Sequence, residues 1–442
     1  MNDRLARLVL MRLAEPGDAA MGALVALRGP RRAVDLVREG VMDADLAQRL
    51  AGGAPDPHDV EAGSRTTEPP REGAEPARHG TAPSRKGAEP VSVPVAAKDG
   101  SGQGREGRLA TRAARLDRTI ASWAARLKTA DPERDLAEGE RIGARLVIPG
   151  DPEWPSQLDD LGASRPYALW VYGDADLRFS CLRSVAVVGS RAATPYGTHV
   201  AAEFGAGLSE KGWHVISGGA HGIDGAAHRG ALACEAPTVA VLACGADVAY
   251  PSSHQQLFAA IRARGVLVSE SPLGAHPTRP RFLVRNRLIA ALSRGTVIVE
   301  AAVRSGALNT AGHAVALNRH LAAVPGPVTS EASIGCHRLI RQGRATCVTG
   351  PEEVIELMGT MGADLAPEPR GPVLPRDSLD PESRRVVEAM PTRIGVGPAT
   401  IAVAAGVDLD TALSCLGGLA AAGYVERVSR GWRLRPDRPA GG

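Results

Sequence analysis

The sequence predicts an α/β fold: a parallel sheet covered by helices, with a small N-terminal helical domain before it and a C-terminal winged helix after it. Two observations carry the central part. Apolar β-type runs alternate with helical patterns from about residue 145 to residue 324, and the core runs are continuously apolar, as in strands covered on both faces. Three of the runs end in small residues just before a helical pattern: VAVVGSR (Val185–Arg191), VISGGAHGID (Val215–Asp224) and EAAVRSGALNTA (Glu300–Ala311). Turns of this kind present backbone N–H groups to phosphate. Three of them on one sheet edge fit an extended polyanion better than a single nucleotide.

The elements follow in order. Residues 3–50 read as short helices, the first being LARLVLMRL, stopped by Pro16-Gly17. Residues 51–107 are rich in Pro, Gly, Glu, Arg and Ser and nearly free of large apolar side chains, so they read as a disordered insertion. Helical spacing resumes at Leu109–Ala130. The insertion therefore interrupts one helical domain, with parts at 1–50 and 108–140. The α/β domain spans 141–360. Its strands are expected at Arg145–Ile148, Ala168–Tyr172, Ser184–Gly189, Trp213–Ser217, Thr238–Cys244, Val266–Ser269, Thr296–Val299 and His320–Val324. Helices are expected at 196–211, 222–234, 252–264, 285–293 and 307–317. A Pro-rich linker covers 361–379. Three helical patterns and a β-hairpin over 380–436 are in the order of a winged helix.

Bulk properties exclude little. Of 442 residues, 52 are basic and 49 acidic, a formal net charge of +3, so total charge does not announce a nucleic-acid binder. The six cysteines include no CxxC pair, which argues against zinc and a disulfide framework and fits a reducing cytoplasm. The N-terminus is too charged for a signal peptide, and no apolar run is long enough for a membrane helix.

The motifs carry the functional reading. Gly189 permits close backbone approach, Ser190 offers an N–H and a hydroxyl, and Arg191 can pair with phosphate. VGSRAATPYG is not GxGxxG, so no dinucleotide fingerprint is present and no cofactor is implied. Ser217, Gly218 and Gly219 form a second small-residue turn. RPRFLVRNRLIAALS (Arg279–Ser293) gathers Arg279, Arg281, Arg285 and Arg287, with Asn286, around Phe282, the mixture of charge and ring that suits a single-strand groove. Ser305, Gly306 and Thr310 lie at a further helix N-terminus able to receive an anion. No metal spacing such as HExxH occurs, nor a Walker motif or GxSxG. Glu270 and Glu300 each follow a strand, which leaves paired carboxylates conceivable.

VAVVGSR, SGGAHGIDGAAH, TVAVLACGADVAYP, LVSESPLG, RFLVRNRLIAALS, VIVEAAVRSGALNTA and AVPGPV occur in fixed order over residues 184–328. This set resembles the DNA-processing protein A family (DprA, also called Smf), and IPGDPEWPSQLDDL with ALWVYGD extends the likeness to about residue 145. The resemblance implies an extended Rossmann-like domain that binds single-stranded DNA without sequence preference. It also implies a homodimer, delivery of DNA to the RecA recombinase in natural transformation, and no enzymatic activity. By motif, it implies phosphate contacts from Gly189–Arg191 and Ser217–Gly219, base contact by Phe282, and backbone pairing by Arg279, Arg285 and Arg287. Two departures stand out: His221 replaces the Arg many relatives have before GID, and Leu283 follows the Phe where Pro is usual. Two other readings compete. One is a nucleotide- or nucleoside-cleaving enzyme using His221, Asp224 and Glu300; the other is a transcription factor acting through the winged helix.

Overall fold

The computed structural model describes residues 1–40, 116–367 and 378–435. The expected insertion at 51–107 and most of the 361–379 linker lie outside the described residues. The chain divides into two compact units, Met1–Ala366 and Pro367–Gly442.

Among the described residues, the first unit opens with the helices α1 (Asp3–Leu13), α2 (Ala19–Glu39, broken at Gly29-Pro30), α3 (116–127) and α4 (Pro132–Ile142). The starts of α1, α2 and α4 have a sequence reason: the side chains of Asn2, Asp18 and Asp131 each accept a first-turn N–H. Leu8, Leu10, Leu13, Met21, Leu24 and Trp123 then bury together with Leu146 and Trp170 of the outer strands, so helices and sheet share one core. The fit is tight. A Cβ added at Gly22 would lie 1.7 Å from the Ala163 carbonyl oxygen.

Nine strands form one sheet: β1 (Ala144–Val147), β2 (Leu169–Tyr172), β3 (Ser184–Val188), β4 (His214–Ser217), β5 (Thr238–Val241), β6 (Val266–Ser269), β7 (Gly295–Ile298), β8 (His320–Ala323) and β9 (Thr346–Cys347). Their spatial order is β1-β2-β6-β5-β4-β3-β7-β8-β9. From β6 to β9 all pairs are parallel, with Ala186 opposite Ile216 and Val188 opposite Ile298. The sheet is mostly parallel, as the sequence leads one to expect, with one antiparallel edge where β2 runs against both β1 and β6. The β1–β2 connection holds only a 3₁₀ segment, Ser156–Ser164, and no crossover α-helix, so the chain returns antiparallel.

The covering helices are α5 (Leu177–Leu182), α6 (Pro195–Glu210), α7 (Ile223–Ala233), α8 (Gln255–Arg264), α9 (Arg279–Leu292), α10 (Gly306–Ala316), α11 (Ile334–Arg341) and α12 (Pro351–Met358). One face packs α9, α10 and α11 through Leu288–Leu292, Ala311 and Leu339. The other packs α6, α7 and α12 through Phe204, Leu208, Ala227 and Ile355. Helix α9 starts six residues before the expected position, because Thr278 caps it and Pro280 sits in the first turn, where no N–H is needed. The strand order reverses between β3 and β7. Ligands of open α/β sheets bind at the carboxyl ends of strands beside such a switch point.

The second unit has its own core of Val386, Ile401, Leu416 and Leu419. It holds α13 (Pro381–Glu388), α14 (Pro398–Ala405) and α15 (Leu409–Ala421), then the hairpin β10 (Val425–Val428) and β11 (Gly431–Leu434), with Val396 bridging Trp432. Among the described residues no single helix is long and apolar enough to cross a membrane.

Two glycines test this packing with opposite signs. Gly22→Ala should cost about 1–3 kcal/mol, since backbone must move to admit the methyl. Gly312→Ala, in α10 with nothing within 4 Å of the added carbon, should stabilise by up to about 1 kcal/mol. Urea unfolding midpoints of both variants check this.

Candidate nucleic-acid interface

The site is built where the first two small-residue turns meet the start of α9. After β3, the turn Gly189–Arg191 runs to Thr194, whose hydroxyl caps α6 by accepting from Gly197 N at 3.1 Å. The same hydroxyl donates to Glu300 Oε1 at 2.6 Å, and Thr194 N donates to Oε2 at 2.9 Å. Glu300, at the end of β7 and 1% exposed, thus ties the two strands of the switch point together.

The turn after β4 is held from below. Ser217 is fully buried and its Oγ donates to the Val187 carbonyl at 2.7 Å. Asp224 accepts from Gly218 N at 3.1 Å and Ala220 N at 3.4 Å. Arg285 reaches under the turn from α9, donating through Nη1 to the Gly218 carbonyl at 2.8 Å and to the Val241 carbonyl. A Cβ at Gly218 would stand 2.4 Å from that guanidinium, so any larger residue would have to displace it from its carbonyl partners. Burial pushes the Arg285 guanidinium down to about 10, opposed by Asp224, and burial raises the Asp224 carboxyl, opposed by Arg285 and the turn N–H groups.

These positions correct part of the expected arginine set. Arg285 is 4% exposed and bonded to carbonyls, so it is not presented to phosphate. Arg287 is also 4% exposed and forms a bidentate pair with buried Glu270, at 2.7 and 2.6 Å, with a further bond to the Ser164 carbonyl. Arg281 turns toward the N-terminal helices, where it pairs with Glu15 at 3.0 Å. Asn286 donates to the Gly306 carbonyl and to Asn309, and so braces α9 against α10. Ser305 caps α10 through Ala307 N, Gly306 is exposed, and Thr310 is buried in the helix.

Arg191 and Arg279 remain exposed, with Phe282 half-buried between solvent and helix. The Arg191 guanidinium carbon lies 4.4 Å from the Phe282 ring centroid, and Arg285 lies 5.9 Å from it, deeper in the fold. Tyr250, which the motif reading did not single out, has its ring 5.6 Å from that of Phe282. Its signal was present in the sequence as an aromatic between a strand end and a proline, in ADVAYP. His254 was missed as well. It is buried, donates through Nδ1 to the Gly219 carbonyl at 3.0 Å, and has its ring 4.7 Å from exposed His221.

Residues 145–359 match the model of the family described as DNA recombination-mediator protein A. The DNA processing protein DprA of Mycobacterium tuberculosis is 47% identical over 310 residues, 68% of this chain and 79% of that one. The chain belongs to the DNA recombination-mediator protein A family. Protein Smf of Escherichia coli, 42% identical over 212 residues, matches 48% of this chain and 56% of its own length. The X-ray structure of DNA processing protein A from Streptococcus pneumoniae superposes with a TM-score of 0.50 at 32% identity, covering 57% of this chain and 87% of that one. The family match falls on the α/β domain that carries the turns and α9.

The two kinds of arginine should separate by mutation. Arg287→Ala leaves Glu270 buried without its partner and should cost about 3–5 kcal/mol. Arg191→Ala, at an exposed turn, should stay within about 0.5 kcal/mol of the parent. Thermal unfolding of both variants reads the difference.

A buried histidine beneath the same turns gives a pH signature. His228 Nδ1 lies 2.8 Å from Thr238 Oγ1, whose own hydrogen goes to the Val215 carbonyl, so Nδ1 carries the proton. Nε2 is buried with no partner, and burial holds the ring down to about 3. The unfolded value is about 6.5. Because the folded value is the lower one, this stability is complete above about pH 6.5 and is lost as pH falls toward about 3. His228→Asn, which keeps a donor for Thr238, should lose less stability than the parent between pH 7 and pH 5 in urea titrations.

Proposed function

We propose that the chain binds single-stranded DNA without sequence preference, as a cytoplasmic homodimer, and delivers it to a RecA-type recombinase. The observation that carries the binding part is the exposed Arg191–Phe282 stack at the switch point, flanked by the Gly189–Arg191 and Ser217–Gly219 turns. A strand-end N–H turn holds a phosphate, a ring holds an unpaired base, and neither reads sequence. We assign phosphate contact to Gly189, Ser190, Arg191, Gly219 and Arg279, and base contact to Phe282, while Gly218, whose N–H is taken by Asp224, keeps the turn in shape. Recombinase delivery, dimerisation and a part in natural transformation rest on family membership.

The nucleotide-cleaving alternative needs a free carboxylate. Asp224 is occupied by turn N–H groups and Glu300 by Thr194, so both hold loops in shape. We read the second unit as a winged helix without duplex readout. Its third helix, α15, contains no Lys or Arg and opens on Asp408 and Asp410, where phosphates would approach. Arg427, Arg430, Arg433 and Arg435 lie on or beside the hairpin instead, and Arg433 is already paired with Glu426 at 2.6 Å.

Fluorescence anisotropy with single strands of unrelated sequence should give similar affinities and a steep fall with salt. Blunt duplex should bind more weakly, because the base offered to Phe282 must be unpaired. Arg191→Ala should weaken all sequences alike and flatten the salt slope by about one contact. Equal affinity for blunt duplex, or unchanged binding by Arg191→Ala, would overturn the assignment.

A further inference from the structure

The ring of Phe282 is not open in this structure. Arg191 stands over it at 4.4 Å, and the ring is the partner that guanidinium has found. Tyr250 stands beside the same ring at 5.6 Å, tilted by 51°, and is 45% exposed. Its side chain is exposed while its backbone neighbourhood is held. Val248 N donates to the Gly245 carbonyl at 3.0 Å, His254 N to the Pro251 carbonyl at 2.9 Å, and His254 Nδ1 to Gly219 at 3.0 Å. A rigidly mounted, solvent-facing aromatic next to a second ring suits a flat ligand better than it suits the core.

Resting on the single-strand reading above, we propose that Tyr250 and Phe282 form a two-walled nucleobase site that Arg191 keeps covered until a base displaces it. An exposed cation–π contact is weak, and base–aromatic stacking is the stronger of the two. The entering base takes the ring face, and the released guanidinium turns to the phosphate of the same strand. Arg191 then contributes a phosphate contact only when a base is present to dislodge it. Base stacking and one unit of charge neutralisation are thereby coupled through a single side chain.

This coupling has a signature that a purely structural arginine or tyrosine would lack. The full chain is titrated with oligothymidine and with an abasic oligomer of equal length, each across a range of salt. The salt slope on the abasic oligomer should be shallower by about 0.7, the value of one single-strand phosphate contact. In Arg191→Ala the two slopes should coincide. Tyr250→Ala should weaken oligothymidine about tenfold, within the range of one base stack. It should leave the abasic oligomer nearly unaffected, and Tyr250→Phe should bind like the parent. Equal slopes in the parent, or Tyr250→Ala binding that is unchanged or falls alike for both oligomers, would overturn the proposal while leaving single-strand binding intact. Failure of the parent chain to bind oligothymidine at all would remove the single-strand reading itself, and this proposal with it.

Discussion

Arg285 is a cation enclosed by carbonyl oxygens. It donates to Gly218 at the end of β4 and to Val241 at the end of β5, and it is carried by α9. Two strand ends and a helix are therefore referred to one guanidinium. Asp224 works from the other side of the same turn, accepting the N–H groups of Gly218 and Ala220. With the carbonyl of Gly218 held down by Arg285 and its N–H held by Asp224, the turn has little freedom left. A buried charge is costly to desolvate, and here the opposing carboxylate and the carbonyl dipoles offset that cost. What this fixes is the position of Phe282, one turn earlier on the same helix, relative to the β3 and β4 turns.

The arginines of α9 thus fall into different trades. Arg285 and Arg287 are internal, one under a turn and one paired with Glu270, and Arg281 is drawn to Glu15. Arg191 and Arg279 face solvent. An interface with so few free cations agrees with the small net charge of the chain. It also gives the N–H turns and the aromatic rings a larger share of any affinity than they would have in a strongly basic groove.

Much of this was legible in the sequence. The uninterrupted apolar runs located the core strands to within a few residues, and the small-residue turns fall at the carboxyl ends of β3 and β4. The antiparallel β2 was not legible, because an antiparallel strand buried on both faces is as apolar as a parallel one. Burial of Arg285 and Arg287 was hidden because an arginine at a helix start looks the same whether it faces water or carbonyls. There was one usable sign. The following LIAAL leaves α9 no polar face, and Leu288–Leu292 are buried on every side, so the residues just before them were already entering the interior. Tyr250 escaped because a single aromatic in a loop has no periodicity to reveal it.

The turn between α1 and α2 lies directly on α9. Glu15 holds Arg281, and Gly17 sits so close to Val284 that an added Cβ would come within 2.9 Å of it. Removing the N-terminal helices to obtain a smaller fragment would release Arg281 from its carboxylate and uncover the flank of the helix that bears Phe282. Such a fragment would carry an additional unpaired cation near the aromatic pair and a less firmly seated α9. Its attraction for polyanions would be a property of the cut, stronger in charge and poorer in positioning than that of the chain from which it came.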